Sequence, residues 1–154
     1  MQIKEPEVGA PLSAGLPSAG QRRRLALAGV PGAVSKGREF TRRALRDWGW
    51  DGTETAEDTL LLVSELLTNA ALHADGCREL ILTACDALRI EVCDGTTALP
   101  TRLATPQRGV PGGHGLYIVD RLSDRWGAQA YGEGKTVWAE IDGSRLVSGN
   151  AVER

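Results

Sequence analysis

Residues 53–95, TETAEDTLLLVSELLTNAALHADGCRELILTACDALRIEVCDG, contain a long helical pattern followed by two short runs of strand-forming residues. Apolar side chains recur at helical spacing through the first part, which predicts a helix over residues 54–74. The second part predicts strands over residues 79–84 and 88–93, and the short gap between them predicts a hairpin. Because both elements must bury an apolar face, the segment predicts a helix packed on a sheet.

The sequence on either side extends this pattern. Before it, Leu25 and Leu27 alternate with small residues in a first strand, and residues 33–48 predict an amphipathic helix. After it, residues 96–113 are rich in Thr, Pro and Gly, and such long loops in compact domains are functional or disordered, so we interpret this one as a lid. The remaining predicted elements are a helix over residues 116–122 and strands over residues 125–130 and 136–141.

The predicted order of elements is β-α-α-β-β-lid-α-β-β. This order is typical of an α/β (α+β) two-layer sandwich, with helices on one face of a mixed, mainly antiparallel sheet. We assign residues 21–143 to one domain, residues 1–20 to a flexible N-terminal arm and residues 144–154 to a disordered tail. A chain of 154 residues is long enough to bury a single core of ordinary size.

The composition excludes several functional classes. Charged residues make up 25% of the chain and the formal net charge is -2, which argues against a protein that binds nucleic acid mainly by neutralising phosphates. No apolar run reaches the roughly 20 residues of a membrane-spanning helix, and the first residues lack a secretory signal pattern. We therefore expect a cytoplasmic protein without membrane contact. The three cysteines form no C-x-x-C pair, so nothing in their spacing suggests a zinc site.

Three polar residues share one face of the predicted long helix. Glu65, Asn69 and His73 recur at intervals of four among apolar neighbours, so they lie beside the buried side of that helix. Buried polar groups need partners, and a carboxamide oxygen is a suitable ligand for Mg²⁺. A carboxylate one turn earlier can accept the proton of a hydroxyl that attacks a terminal phosphate. Alternatively, Glu65 and Asn69 cap neighbouring loops.

Two further stretches contain groups suited to a nucleotide. Asp94 directly follows a predicted strand, where its carboxylate can accept a hydrogen bond from an exocyclic amine such as that of adenine. Asp94 and Gly95 also form a common turn dipeptide, which is the alternative. The sequence GVPGGHGL, residues 109–116, places glycines before a helix start, where backbone N–H groups can bind phosphate. It is neither a Walker loop nor a dinucleotide fingerprint, and a flexible hinge is the alternative.

The stretch GEGKTVW, residues 132–138, predicts a tight turn leading into the last strand. Thr136 offers a hydroxyl near the start of that strand. We expect the Lys135 side chain to lie in solvent. Neither residue by itself indicates a function.

Four of these stretches resemble, in order, the sequence boxes of the GHKL ATPases. They are SELLTNAALHA at residues 64–74, VCDG at 92–95, GGHGLYIV at 112–119 and GKTVW at 134–138. Their order and spacing are far more specific than any one of them, and the resemblance covers residues 25–141. It implies the Bergerat ATP-binding fold of the histidine kinase-like superfamily. The short form, without a dimerisation or phosphoacceptor region, is similar to the anti-sigma-factor serine/threonine kinases.

The resemblance also implies roles for individual residues. Glu65 would be the general base, Asn69 the Mg²⁺ ligand and Asp94 the residue that binds adenine. Thr136 would lie beside Asp94 at the adenine. His73 would close the long helix rather than accept a phosphoryl group.

The glycine cluster would hold the phosphates beneath the lid. Gly113 and Gly115 match the family pattern, with His114 between them where many of these kinases carry Arg. The complete set of implied nucleotide-binding residues is Asn69, Asp94, Gly95, Gly113, His114, Gly115, Leu116 and Thr136.

The resemblance implies a function and its partners. We expect an ATP-binding and Mg²⁺-binding protein serine/threonine kinase that phosphorylates a small antagonist protein and binds a sigma factor, without direct contact to nucleic acid. A homodimer is compatible with this expectation. Two alternatives are a non-catalytic module that uses ATP as a ligand while it binds a partner, and the detached catalytic domain of a two-component histidine kinase.

Overall fold

The computed structural model describes residues 20–73, 76–95 and 113–148 of the chain. In chain order the elements are β1 (Gln21–Ala26), α1 (Ala33–Asp47), α2 (Glu54–His73), β2 (Cys77–Ala84), β3 (Ala87–Asp94), α3 (Gly113–Leu122), β4 (Arg125–Tyr131), β5 (Gly134–Asp142) and α4 (Gly143–Ser148). This is the predicted order with one helix added at the end.

The first two helices form because each has an apolar stripe and suitable ends. In α1 the buried residues Gly37, Thr41, Ala44 and Leu45 fall on one face, and that face packs against α2, β1 and β2. α2 begins at a threonine cap, because the Ala56 N–H donates to the Thr53 hydroxyl oxygen at 3.0 Å.

α2 is the central element of the helical layer. It contacts α1, α3 and α4 as well as β2 and β3. Apolar residues on several sides of it are therefore buried, including Leu62, Val63, Leu66 and Leu67. A helix surrounded in this way holds its polar side chains in fixed positions relative to the sheet.

The five strands form one sheet in the order β1-β2-β3-β5-β4. All four ladders between the described strands are antiparallel. The expected two-layer sandwich is confirmed. We expected a mixed, mainly antiparallel sheet, and every described ladder is antiparallel. The β2–β3 and β4–β5 pairs are hairpins between neighbouring strands, which need only short turns.

The two faces of the sheet have different roles. Side chains alternate between faces along a strand, and the core cluster takes its sheet residues from one face, including Leu82, Ile90 and Ala139. We call this the helix-covered face. The other face carries Arg89, Glu91, Trp138 and Glu140, and we call it the outer face.

The outer face is held together by ion pairs and a cation–π contact. The Arg89 guanidinium lies 4.4 Å from the ring centroid of Trp138 and 2.8 Å from a carboxylate oxygen of Glu140. The other carboxylate oxygen of Glu140 accepts a hydrogen bond from Arg125 at 2.9 Å. These contacts connect β3, β5 and β4 across the sheet.

The C-terminal segment differs from its prediction. Residues 144–154 were expected to be disordered, but residues 143–148 form α4. The reason is burial, because Leu146 is only 1% exposed and α4 contacts β3, β5 and α2. An ion pair between Arg145 and Asp124 also holds it.

Parts of three predicted segments lie outside the described residues. They are residues 1–19 of the arm, residues 96–112 of the lid and residues 149–154 of the tail. Within the described ranges, none of the helices combines the length and the hydropathy required to cross a lipid bilayer.

Candidate functional site

The polar stripe of α2 includes a buried carboxamide. Asn69 is 7% exposed, and none of the hydrogen bonds formed within the described part of the chain involves its side chain. Glu65 lies one turn earlier and is half-buried. His73 is the last residue of the helix. A carboxamide that the described residues leave without a hydrogen bond is suited to a ligand that brings its own polar atoms.

The end of β3 carries a buried ion pair. Asp94 and Lys135 are each 4% exposed, and the Lys135 Nζ atom donates to Oδ2 of Asp94 at 2.8 Å. The two residues are direct partners in the ladder between β3 and β5. The expectation that Lys135 would lie in solvent is therefore wrong, because β5 begins at Gly134 rather than at residue 136 and its pairing turns the lysine inward.

Glycines let the backbone approach closely around this pair. A Cβ atom at Gly134 would collide with the carbonyl oxygen of Asp94. A Cβ atom at Gly95 would collide with the guanidinium of Arg78, although that flexible side chain can move. Gly134 is therefore required for β5 to start beside Asp94.

Thr136 does not join Asp94. It is the ladder partner of Cys93, and its Oγ1 atom lies 3.4 Å from the Cys93 sulfur. Because successive residues of a strand face opposite sides, Thr136 and Cys93 lie on the outer face, whereas Asp94 and Lys135 lie on the helix-covered face. The residue beside Asp94 is thus Lys135.

A sequence signal for Lys135 was present. Val137, Ala139 and Ile141 are the aliphatic residues of β5, and they occupy alternate positions along it. Extending that alternation by one step toward the N-terminus places residue 135 on the helix-covered face and residue 136 on the outer face. The apolar residues of the strand, rather than the polar ones, indicate which neighbour contacts Asp94.

Asn69 and Asp94 lie at the same end of the sandwich. α2 ends at His73, and β2 begins at Cys77, whose ladder partner is Asp94. Asn69 is about one helical turn before the end of α2. The end of the central helix and the end of β3 are therefore neighbours, and we call this region the polar end of the sandwich.

α3 begins toward the polar end. It packs along α2 and finishes next to Asp124, whose N–H donates at 2.8 Å to the carbonyl of Glu140, close to the far end of β5. Its 10 residues span about 15 Å, and because α3 packs along α2 we infer that its first turn lies toward the end where β5 begins.

The backbone of Gly113, His114, Gly115 and Leu116 forms that first turn of α3. The helix begins at Gly113, earlier than the predicted residue 116. Glycines lack a Cβ atom and so let a bound group approach the backbone closely, and the first N–H groups of a helix have no partner inside it. Those N–H groups, at the positive end of the helix dipole, are suited to bind an anion.

Comparison with protein families agrees with the fold. Residues 27–141 match the family model of the histidine kinase-like ATPase domain. The chain belongs to this family. The histidine kinase-like ATPase domain is an ATP-binding unit, and the match covers the described elements from α1 to β4 and all of β5 except Asp142. No curated protein matches the sequence.

Proposed function

We propose that this histidine kinase-like ATPase domain is a protein serine/threonine kinase that uses ATP and Mg²⁺. The observation that supports the proposal best is the carboxamide of the buried residue Asn69, which forms no hydrogen bond to the described residues, at the same end of the sandwich as the Asp94 carboxylate and the start of α3. Each of these three groups suits a different part of ATP·Mg²⁺.

Asn69 fits a magnesium site. Its side chain is buried without a hydrogen bond to the described residues, and an amide oxygen is a ligand that Mg²⁺ accepts together with waters and substrate phosphates. Mg²⁺ bound there would neutralise negative charge on the phosphates.

The rest of the nucleotide is assigned to the other two elements. The N–H groups in the first turn of α3, from Gly113 to Leu116, would bind the phosphates. The Asp94 carboxylate would accept a hydrogen bond from the adenine amine, with Gly95 following it in the chain. Thr136 lies on the outer face, so its contribution at the adenine would have to be indirect.

Glu65 is proposed as the general base. As the hydroxyl oxygen of a serine or threonine attacks the terminal phosphorus of ATP, its proton passes to the Glu65 carboxylate. The bond between that phosphorus and the bridging oxygen breaks, and ADP leaves with the electron pair. Glu65 lies one turn from Asn69 on the same helix face, so both groups would be able to reach one bound substrate.

The partners follow from the resemblance to anti-sigma-factor kinases. The substrate would be a small antagonist protein, and a sigma factor would be bound when the antagonist is phosphorylated. Both proteins and this ATPase domain would meet in the cytoplasm.

A comparison of two glutamates tests the kinase proposal. Glu65→Gln should keep the affinity for ADP and lose roughly a hundredfold to ten-thousandfold in transfer of labelled γ-phosphate to proteins of a host extract. Glu57→Gln is the matched control, because Glu57 is an exposed residue of the same helix. Calorimetry measures the affinity, and phosphoamino-acid analysis identifies the product.

Three outcomes would contradict the proposal. Absence of transfer by the wild-type protein would favour the non-catalytic module. An acid-labile phosphohistidine product would favour the detached catalytic domain of a histidine kinase. Equal transfer by Glu65→Gln and the wild type would remove Glu65 from the catalytic step.

A further inference from the structure

The buried ammonium group of Lys135 has N–H donors that no described residue accepts. A lysine ammonium has three N–H donors. Within the described ranges, the only acceptor in contact with it is Oδ2 of Asp94, at 2.8 Å. The residue is 4% exposed, so water has little access to the other two donors. Buried donors without acceptors are costly, and a bound ligand can supply the acceptors.

The sheet itself offers no such acceptor. On the helix-covered face, the next ladder pair after Asp94 and Lys135 is Val92 and Val137, which is apolar. The pair is also the last one of this ladder, because β3 ends at Asp94. The spare donors of Lys135 are thus at the polar end, next to the carboxylate proposed to bind adenine.

Together the two side chains form a hydrogen-bonding pattern. Asp94 presents an acceptor, and Lys135 presents a donor beside it. The amine-bearing edges of adenine present the complementary pattern, because the exocyclic amine is a donor and the adjacent ring nitrogens, N1 and N7, are acceptors. One carboxylate and one ammonium are therefore sufficient to contact both kinds of group on one base.

We propose that Lys135 is a second base-recognition residue, which donates a hydrogen bond to the ring nitrogen beside the adenine amine while it remains paired with Asp94. The proposal rests on the proposed function, because it requires that Asp94 binds adenine. A charged donor at this position makes recognition of the ring nitrogen direct, without a bridging water.

Nucleotide analogues test the contact atom by atom. Calorimetry with wild-type protein would compare ADP with 1-deaza-ADP and 7-deaza-ADP, in which one ring nitrogen is replaced by carbon. We expect one of the two analogues to bind about tenfold more weakly or worse, because a hydrogen bond to a charged donor is lost. In Lys135→Met that penalty should disappear, since the donor is absent.

Lys36→Met is the matched control. Lys36 is exposed, and its Nζ atom donates to the carbonyl of Pro31 at 3.1 Å. This variant loses the same charge and should keep the full penalty for the analogue. An unchanged penalty in Lys135→Met, or no penalty for either analogue in the wild type, would overturn the assignment.

A second measurement needs no variant, because Lys135→Met leaves a buried carboxylate unpaired and could fail to fold. The chain has three lysines, Lys4, Lys36 and Lys135, so protein labelled with ¹⁵N-lysine gives few Nζ resonances. The resonance of the buried ammonium should shift when ADP binds and shift less with the analogue that lacks its acceptor. Identical shifts with ADP and both analogues would also overturn the assignment.

The role of Asp94 in binding adenine is tested by a different pair of nucleotides. Purine riboside diphosphate lacks the exocyclic amine, so it should bind more weakly than ADP if Asp94 accepts from that amine. Equal binding of this compound, or equal binding of GDP, would contradict the role of Asp94 itself. Loss of the ring-nitrogen effect alone, with the amine effect intact, would contradict only the role of Lys135.

Discussion

Asn69 combines a position in the core with an amide that no described residue satisfies. Among the described residues, its amide oxygen and nitrogen are not among the fully buried side-chain atoms that lack a partner, so they can still reach solvent or a ligand. Alanine has a higher helix propensity than asparagine. If Asn69 stabilises the fold less than alanine would, the presence of asparagine at this position is explained by a ligand that its side chain binds.

This contrast gives a prediction for Asn69→Ala. The ligand-free variant should melt at the same temperature as the wild type or higher, and its affinity for ATP should no longer depend on Mg²⁺. Thermal unfolding and ATP titrations with and without Mg²⁺ measure the two effects. Thr68→Ala, at the neighbouring half-buried position, is the control and should keep the Mg²⁺ dependence.

The contradicting result is specific. If the titrations of Asn69→Ala respond to Mg²⁺ as those of the wild type do, the metal is bound elsewhere.

The sequence indicated which residues of α2 share a face, but not which residues of β5 lie on which face of the sheet. The interval of four between Glu65 and Asn69 predicted a shared helix face, and both residues lie on α2 as expected. The error concerned β5, where Lys135 was expected in solvent and Thr136 beside Asp94; a role of Thr136 at the base stays a prediction. This position of the family pattern can be aligned almost equally well with residue 135 or with residue 136. In a strand, however, a shift by one residue moves the side chain to the opposite face of the sheet.

At the level of elements, the outer face shows how β3, β4 and β5 are held together where no described helix covers them. Burial raises the pKa of Glu140, but hydrogen bonds from Arg125 and Arg89 outweigh this effect and bring the pKa below its usual value. Hydrogen bonds to Asp142 and, after it, to Glu140 raise the pKa of Arg125. Glu140 therefore stabilises the folded state in its charged form.

The direction of the shift predicts a pH dependence. A carboxyl whose pKa is lower in the folded state contributes stability above its unfolded pKa and loses it as pH falls through the folded pKa. Wild-type protein should thus melt at a higher temperature than Glu140→Gln at pH 7, and the difference should shrink as pH falls from about 5 to about 3.

Circular dichroism melts at several pH values measure this difference. Glu133→Gln, in the exposed turn between β4 and β5, is the control. A gap between wild type and Glu140→Gln that stays constant down to the lowest pH would show that the arginine contacts do not depend on the charge of Glu140.

Elements with strong periodicity were predictable, and short or irregular ones were not. The helix over residues 54–74 and the hairpin that follows it appear in the structure as α2, β2 and β3. α4 was missed because a helix of 6 residues has too few turns to show periodicity. It forms because the surrounding elements bury Leu146, a tertiary effect that no local pattern contains.

At the scale of the whole molecule, α2 and the sheet share one core, so opening of the polar end requires separation of packed elements. Cys77 reports on this opening. It starts β2 opposite Asp94, and burial raises the pKa of its thiol to about 12. Cys85, in the turn between β2 and β3, is exposed.

Alkylation at pH 8 should therefore distinguish the two thiols. Because the thiolate is the reactive form, Cys77 should stay unmodified in the native protein while Cys85 reacts. ADP at 100 times its dissociation constant should slow the modification of Cys77 about a hundredfold, if the reaction requires opening of the bound state.

Mass spectrometry of digests follows each cysteine separately. In denaturant all the cysteines should react, which provides the control for intrinsic reactivity. Native modification of Cys77 as fast as that of Cys85 would show that the polar end opens without disruption of the core.

The contact between Gly134 and the carbonyl of Asp94 has a consequence for engineering. Any side chain at Gly134 would push apart the end of β3, which carries Asp94, and the start of β5, which carries Lys135, so libraries aimed at altered base preference should keep this glycine. The two charged side chains can then be exchanged on an unchanged backbone. Base preference can then be altered by substitutions at these two positions, without redesign of a loop.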